Sequence, residues 1–251
     1  MLKAIKLERI SKSFPDRNKK SLLPVLQEID LEVNQQEFVS LIGPSGCGKS
    51  TLFNIISGLL LPDEGQVLIN GEPANGKTGL VSYMPQKDLL LPWRTTLDNV
   101  IIPLEIRKMD KNRARQKARD LFPLFGLEGF ESSYPHQLSG GMRQRAALLR
   151  TYLNKSEIML LDEPFASLDA ITKSKLHGWL QEIWTRFRPS ILFITHDIDE
   201  AIFLADRIYV LSERPAGIKG HFQVELPRPR TAKSLTAAEF LRLKEKLLEL
   251  L

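Results

Sequence analysis

Residues 43–51, which read Gly-Pro-Ser-Gly-Cys-Gly-Lys-Ser-Thr, constrain the fold more than any other part of the chain. They match the pattern Gly-x-x-x-x-Gly-Lys-Ser/Thr through Gly43, Gly48, Lys49 and Ser50. An apolar run of strand length, residues 38–42, precedes this loop, and residues 51–56 follow it with an apolar pattern that suits a helix. A strand, a glycine-rich loop and a helix in this order predict a phosphate-binding loop.

The chemistry of the loop follows from its residue types. Glycines let backbone N–H groups turn inward around an anion where a Cβ would clash, and the helix N-terminus adds unpaired donors. Lys49 would neutralise the β- and γ-phosphates of a nucleotide, and the Ser50 hydroxyl would ligate Mg²⁺. The alternative is a glycine-rich turn that binds nothing, which the complete motif in its context disfavours. The motif predicts a nucleotide site without naming the reaction.

Composition sets broad limits on the class of protein. The chain has 251 residues, of which 43% are hydrophobic and 26% charged, as is ordinary for a soluble protein with a buried core. Its apolar runs stay far below the ~18 residues needed to cross a bilayer, and its beginning lacks the apolar segment of a signal peptide. We therefore expect a cytoplasmic protein unless a partner carries it to a membrane. Cys47 is the single cysteine, which excludes an intrachain disulfide.

The net charge of +5 is a mild basic excess. Much of it lies in residues 107–119, where seven Lys and Arg residues accompany one acid, Asp110. A solvated helix face is the favoured interpretation, with an anionic membrane surface or nucleic acid as alternatives. Because no aromatic residue interleaves with these charges, the case for nucleic acid is weakened.

The order of apolar segments predicts the organisation of the chain. Strand patterns occur at residues 3–10, 22–33, 66–71, 79–84, 158–162, 191–195 and 207–211. Helical stretches separate the later strands, which indicates a largely parallel sheet. Helical spacing broken by prolines prevails at about residues 87–150, with one helix capped at Ser139. An amphipathic helix at about residues 236–251 ends the sequence.

Several short motifs occur in one order along the chain. They are residues 43–51, Gln86, Ser139-Gly140-Gly141, the strand 158–162 followed by Glu163, Ser167-Leu168-Asp169, and His196. In this order they resemble the ATP-binding subunits of ABC (ATP-binding cassette) transporters, over residues 1 to about 230. The resemblance implies a single ABC ATP-binding domain, residues 1–251, with an α/β P-loop NTPase fold. Its parts would be a mostly parallel sheet core, an antiparallel β subdomain and a helical subdomain at about residues 87–150.

The residue chemistry and the resemblance together predict an ATP site with Mg²⁺. Asp162, at a strand end beside the loop, would hold Mg²⁺ with Ser50, and Glu163 would polarise the water that attacks the γ-phosphate. His196 would reach that phosphate, and the resemblance adds that Gln86 contacts Mg²⁺. The predicted catalytic residues are thus Glu163, His196 and Gln86. The predicted ATP-binding residues are Phe14, as an adenine-stacking ring, Gly43, Pro44, Ser45, Gly46, Cys47, Gly48, Lys49, Ser50, Thr51, Ser139, Gly140 and Gly141.

The resemblance also implies that part of the site acts in trans. Ser139 and Gly140 would lie on the helical subdomain, far from their own loop, at a helix N-terminus that can hold an anion. Two copies facing head to tail would then enclose two ATP molecules, with Asp169 at the seam. We therefore expect a homodimer on ATP binding.

One departure from the family pattern is informative. Met142 follows Ser139-Gly140-Gly141, the signature motif of the family, which usually ends in glutamine. Methionine here, together with Leu-Leu-Leu-Pro-Trp at 89–93 and Leu-Pro-Arg-Pro-Arg at 226–230, resembles the ATPases of nitrate, sulfonate and taurine importers. That subset includes transporters for bicarbonate and for thiamine-precursor pyrimidines.

These features predict the ATPase of an importer of small solutes. It would be a peripheral protein on the cytoplasmic face of the cell membrane. Its partners would be integral membrane permease subunits and, indirectly, an extracytoplasmic solute-binding protein. We expect no nucleic acid among its partners. One alternative is a soluble ABC ATPase acting on nucleic acid or ribosomes, disfavoured because one cassette is present and no heptad run separates Gln86 from Ser139. The other alternative is the ATPase subunit of an exporter.

Overall fold

The computed structural model describes residues 2–16, 21–154, 156–166 and 168–251; Ser167 of the triplet Ser167-Leu168-Asp169 lies outside them. The strands of the described residues are β1 (Lys3–Pro15), β2 (Leu22–Asn34), β3 (Phe38–Ile42), β4 (Glu64–Ile69), β5 (Glu72–Pro73), β6 (Ser82–Met84), β7 (Ile158–Asp162), β8 (Ser190–Ile194), β9 (Arg207–Leu211) and β10 (Ile218–Gln223). The α-helices are α1 (Lys49–Ile56), α2 (Thr96–Val100), α3 (Ile102–Ile106), α4 (Lys111–Arg119), α5 (Gly140–Leu153), α6 (Ala170–Phe187), α7 (Ile198–Leu204) and α8 (Ala238–Leu250).

The larger sheet has six strands in the order β10-β9-β3-β8-β7-β6. Its pairs from β9 to β6 are parallel, and β10 pairs antiparallel with β9. The mostly parallel core predicted from the sequence is confirmed. Strand β10 was not among the predicted strands, because its residues alternate between half-buried and exposed and form no apolar run.

Strand β3 is buried along its whole length because it faces two cores. Phe38 and Ile42 pack among residues of the helices, while Val39 and Leu41 pack with the antiparallel sheet and α1. Side chains alternate between the faces of a strand, so cover on both sides requires the continuous apolar sequence seen here. The residues that follow β3 are therefore held at the centre of the molecule.

The second sheet is antiparallel, with the order β2-β1-β4-β5. Asn70 and Gly71 join β4 to β5 and both have a positive φ, 52° and 84°, as a tight two-residue hairpin turn requires. This is the antiparallel part of the fold that the resemblance implied. Its inner face packs on α1, with Ile5 and Leu31 beside Leu52 and Phe53 in one core.

Between β6 and β7 the described chain is helical. Asn99 is fully buried, and it anchors the loop before α2. Its Oδ1 accepts from the Leu91 amide at 2.7 Å, and its Nδ2 donates to the carbonyls of Leu91, Arg94 and Thr95 at 3.0–3.1 Å. All its polar atoms are thus paired, which a buried amide needs.

Helix α4 carries most of the basic run. Ala114 and Ala118 face the core, and the charged side chains lie on the outer side. Arg115 donates to the Asp98 carboxylate at 2.8 Å and 3.1 Å. The face has the form of the solvated helix surface favoured from the sequence.

The arginines of residues 226–230 hold the end of α7. Arg230 is buried, and its Nη1 donates to the carbonyls of Ile202 and Ala205 at 2.8 Å and 2.6 Å. A cation suits the last carbonyls of a helix. Burial, reinforced by the nearby Arg228, lowers the pKa of Arg230 to about 10, so it stays charged at neutral pH.

Helix α8 packs against α7 through Phe240 and Leu247, which are buried. The helix spans Ala238–Leu250, within the range of about 236–251 expected from the sequence. Among the helices of the described residues, none combines the length and the apolar character that a membrane span requires.

We expect Phe240→Ala to lower the free energy of unfolding by about 3–5 kcal/mol, because the ring is 1% exposed and its loss leaves a cavity. The neighbouring Leu241 is 48% exposed, so Leu241→Ala should change stability by less than about 0.5 kcal/mol. Urea unfolding of both variants measures the difference. Equal losses would show that α8 does not pack as described.

Candidate active site

The loop at residues 43–51 lies between the two sheets. Gly48 has φ 126°, and a Cβ placed on it would lie 2.8 Å from Leu26 Cδ2 and 2.9 Å from Val25 Cγ1. A Cβ on Gly43 would lie 3.0 Å from Leu211 Cβ. The loop backbone therefore runs against β2 on one side and β9 on the other, and larger residues at these positions would push it outward.

Lys49 begins α1 and is buried. Its Nζ donates to the carbonyls of Gly43 and Pro44 at 2.8 Å and 2.9 Å, so the ammonium group lies within the curve of the loop. This ammonium and the N-terminus of α1 together form a positive cradle of the kind that binds phosphate.

Asp162 ends β7 directly beside this cradle. Burial raises the pKa of the Asp162 carboxyl, and the charge of Glu163 adds to the effect. Hydrogen bonds from Ser50 and Tyr83 and the charge of Lys49 act in the opposite direction. The carboxylate is thus close to two of the predicted ATP-binding residues, Ser50 and Lys49.

Tyr83 was not among the predicted site residues. Its hydroxyl donates to Asp162 Oδ2 at 3.3 Å, and burial together with the Asp162 charge raises the pKa of the phenol. Tyr83 lies on β6, which runs parallel to β7 at the edge of the sheet. Its position in a strand just before Gln86 was the available signal, but the pairing of β6 with β7 is needed to see the contact.

The predicted catalytic residues meet at one oxygen atom. Glu163 Oε2 accepts from Gln86 Nε2 at 3.2 Å and lies 3.2 Å from His196 Nδ1. Glu163 has a positive φ of 44°, and its N–H donates to the Ile194 carbonyl at 3.0 Å. A non-glycine residue in this conformation carries local strain, which is often found at functional sites.

Ser139, Gly140 and Gly141 lie at the start of α5. The Ser139 hydroxyl accepts from the Met142 N–H at 3.3 Å and caps the helix. A Cβ on Gly141 would lie 2.9 Å from Thr172 Cγ2, so the glycine lets α5 approach α6 closely. Met142 packs against the larger core, which gives an apolar side chain a reason to be here.

The loop after Gln86 is tied to α5. Arg143 Nε donates to Asp88 Oδ2 at 3.2 Å, and Arg150 donates to the carbonyls of Asp88 and Leu89 at 2.5 Å and 2.8 Å. The loop that follows Gln86, whose amide contacts Glu163, is thus held against α5.

Arg214 borders the phosphate loop, whereas Phe14 lies on the strand that pairs with β2. Phe14 is half-buried on β1, opposite Leu23 of β2, the strand that also packs on Gly48. Arg214, which was not predicted, helps to line an open pocket of about 340 Å³ with Pro44, Ser45, Gly46, Cys47 and Glu213. No sequence pattern identifies Arg214 as a site residue. It lies beside the phosphate loop because it follows β9, the strand next to β3 in the sheet.

The fold and these residues define an ATP-binding cassette ATPase. The family model described as ABC transporter matches residues 26–166, and the chain belongs to that family. It is 43% identical to an uncharacterized ABC transporter ATP-binding protein of Methanocaldococcus jannaschii, over 98% of this chain and 91% of that protein.

Two further relatives have names that state a transport role. A formylaminopyrimidine import ATP-binding protein of Halalkalibacterium halodurans is 47% identical over 81% of this chain and 79% of that protein. An aliphatic sulfonates import ATP-binding protein of Bacillus cereus is 38% identical over 98% of this chain and 94% of that protein.

Solved structures agree with this assignment. A dimeric bacterial ABC transporter cassette superposes with a TM-score of 0.79 at 30% identity, covering 89% of this chain and all of that one. A dimeric post-hydrolysis state bound to ADP and Pi gives 0.78 at 29% identity, with the same coverage. The predicted α/β ABC ATPase fold is confirmed, and the chain is an ATP-binding ATPase of this family.

The raised pKa of Asp162 predicts a pH-dependent stability. Because the folded pKa lies above that of the unfolded chain, protonation favours the folded state, and at neutral pH the buried carboxylate is ionised at a cost. We therefore expect Asp162→Asn to raise the melting temperature without nucleotide at pH 7.5. The advantage should shrink as the pH falls through the folded pKa towards the ordinary value for an aspartate, about 3.9. Thermal unfolding at several pH values tests this, and an equal advantage at every pH would contradict it.

Proposed function

We propose that this chain is the ATP-hydrolysing subunit of an ABC importer for a small solute of the nitrate, sulfonate and taurine class. The convergence of Gln86 and His196 on Glu163 Oε2, beside the phosphate loop, is the observation that carries the hydrolytic role. The importer role is supported by the names of two relatives.

The residues beside the loop suit Mg²⁺. Ser50, Asp162 and Gln86 offer a hydroxyl, a carboxylate and an amide oxygen, which are ligands of the hard type that this cation takes. When bound with ATP, Mg²⁺ would neutralise phosphate charge. The loop N–H groups and Lys49 would hold the phosphates, and Phe14 would stack on the adenine.

Hydrolysis then depends on the carboxylate of Glu163. It would accept a hydrogen bond from the attacking water and take its proton as the new P–O bond forms and the bond from the γ-phosphorus to the ADP oxygen breaks. His196 and Gln86 would fix the carboxylate and, in the case of His196, contact the γ-phosphate. Positioning of this kind is the main means by which enzymes accelerate phosphoryl transfer.

The second half of the site would come from another copy. Gly141 lies against Thr172 of α6 and Gly140 against Leu168 just before it, while Ser139 caps its own helix; no described contact joins the three to their own phosphate loop. Their helix N-terminus would bind the γ-phosphate held by the second copy, giving a head-to-tail dimer with two ATP molecules.

Permease subunits would dock beside the Gln86 loop. A groove of about 620 Å³ lies there, lined by Gln86, Lys87, Asp88, Leu89, Gln144 and Ala166. Leu89 and the nearby Trp93 are 58% and 71% exposed, as suits a contact with an apolar partner. The chain would act at the cytoplasmic face of the membrane, below a permease that a solute-binding protein supplies. The arginine links from α5 to Asp88 would pass motion of the helical segment, about residues 87–150, to this groove.

We expect Glu163→Gln to lower ATP hydrolysis by about 10²-fold or more, the scale of losing a general base. ATP binding should survive, because Lys49, Ser50 and Asp162 are unchanged. The variant should run as a dimer on a sizing column with MgATP and as a monomer without it. Glu128→Gln, at an exposed glutamate, is the matched control.

Adding Ser139→Arg to Glu163→Gln should abolish the dimer through a clash at the phosphate site of the second copy. Ser132→Arg, at an exposed loop serine, should leave the dimer intact. Near-normal hydrolysis by Glu163→Gln would overturn the catalytic role of Glu163. A double variant that still dimerises would overturn the head-to-tail arrangement.

A further inference from the structure

A buried ionic cluster lies behind His196, outside every motif named above. At its centre is Glu200 of α7, 3% exposed. The Thr195 hydroxyl donates to Glu200 Oε2 at 2.5 Å. Lys173 Nζ and His177 Nε2, both on α6, lie 2.9 Å and 3.1 Å from Glu200 Oε1.

The cluster keeps Glu200 charged although it is buried. Burial alone would raise the pKa of the Glu200 carboxyl, but hydrogen bonds from His177, Thr195 and Lys173 lower it to about 2. A buried carboxylate with its partners is costly to assemble, and apolar residues of similar volume often stabilise a fold as well or better. Stability alone therefore does not explain why this cluster is present.

The cluster holds the residues on both sides of His196. Thr195 Oγ1 accepts from the Asp197 N–H at 3.0 Å while it donates to Glu200. Asp197 also lies 3.3 Å from Lys173 Nζ. The His196 side chain itself is 52% exposed, with Glu163 as its described polar contact. Its direction is thus set mainly by the backbone that Thr195 and Asp197 anchor.

Lys173, on the α6 side of the cluster, lies next to a residue that packs against Gly141 of the signature motif. Lys173 follows Thr172, whose methyl group would be 2.9 Å from a Cβ on Gly141. Asp169 caps the same helix, accepting from the N–H groups of Ile171 and Thr172 at 3.1 Å and 3.0 Å. Helix α6 therefore contacts the signature glycine through Thr172, and Glu200 through the next residue, Lys173, and through His177 four residues further.

We propose that Glu200 is a positioning residue: through Thr195 it holds His196 against Glu163, and through Lys173 and His177 it makes the His196 segment move with α6. This inference rests on the proposed role of His196 in hydrolysis. A cluster with a purely structural role would affect stability and leave the rate per folded molecule unchanged.

The Thr195 hydroxyl allows a matched test on the full-length protein. Thr195→Val keeps the shape but removes the hydroxyl, whereas Thr195→Ser keeps it. We expect Thr195→Val to lower kcat for ATP hydrolysis about tenfold, less than the ~10²-fold that a displacement of about 1 Å can cost. The KM for ATP should stay within about twofold, because the phosphate loop is untouched. Thr195→Ser should retain kcat.

Rates are expressed per ATP-binding site counted by titration, so that a loss of folded protein does not register as a loss of kcat. A kcat for Thr195→Val equal to that of the parent protein overturns the proposal. Equal losses for Thr195→Val and Thr195→Ser also overturn it, because the hydroxyl would then not be the link.

A double-mutant cycle with His196→Ala tests whether the effect passes through His196. If it does, Thr195→Val should lower kcat no further in the His196→Ala background. A full tenfold loss in that background overturns the positioning role while leaving the proposed function intact. Normal kcat for His196→Ala alone refutes the hydrolytic role of His196, and the positioning proposal with it.

Discussion

The parallel pairing of β3, β8 and β7 is the constraint on which the site depends. Parallel strands end at the same edge of a sheet, and Leu41 and Asp162 are both paired with Ile194. The phosphate loop, the acidic pair Asp162-Glu163 and His196 follow these strand ends. The strand order alone therefore brings together residues that are more than a hundred positions apart in the sequence.

The negative charge of Asp162 at this edge is only partly compensated by its neighbours. Asp162 is buried among Ser50, Tyr83 and Lys49, and its pKa is raised, so the nucleotide-free protein carries an electrostatic cost there. A bound cation would relieve that cost, since a positive charge favours the ionised carboxylate. Without its ligands, the site is therefore less stable than a site with no buried charge would be, as is common for functional sites.

The sequence predicts what depends on local pattern, and much of this fold does. The strand before the phosphate loop, the Ser139 cap and the Asn70-Gly71 turn each follow from a few neighbouring residues. Other features depend on contacts between distant segments, which local pattern does not encode. Tyr83 reaches Asp162 because β6 joins β7, and Glu200 meets Lys173 because α7 packs on α6. Glu163, Gln86 and His196 were predicted as catalytic residues with separate roles, and their contacts with one another required the fold.

Helix α6 explains how distant parts of such a site can act together. It touches Gly141 near its first turn, and it carries Lys173 and His177 to Glu200, next to the segment of His196. Close-packed interiors resist compression, so a shift at one end of a helix is transmitted to its other contacts rather than absorbed. Gly141 makes this link tight, because a larger residue would separate α5 from α6 at Thr172. Gly141, which the family resemblance predicts to bind phosphate, therefore also allows α5 and α6 to pack closely.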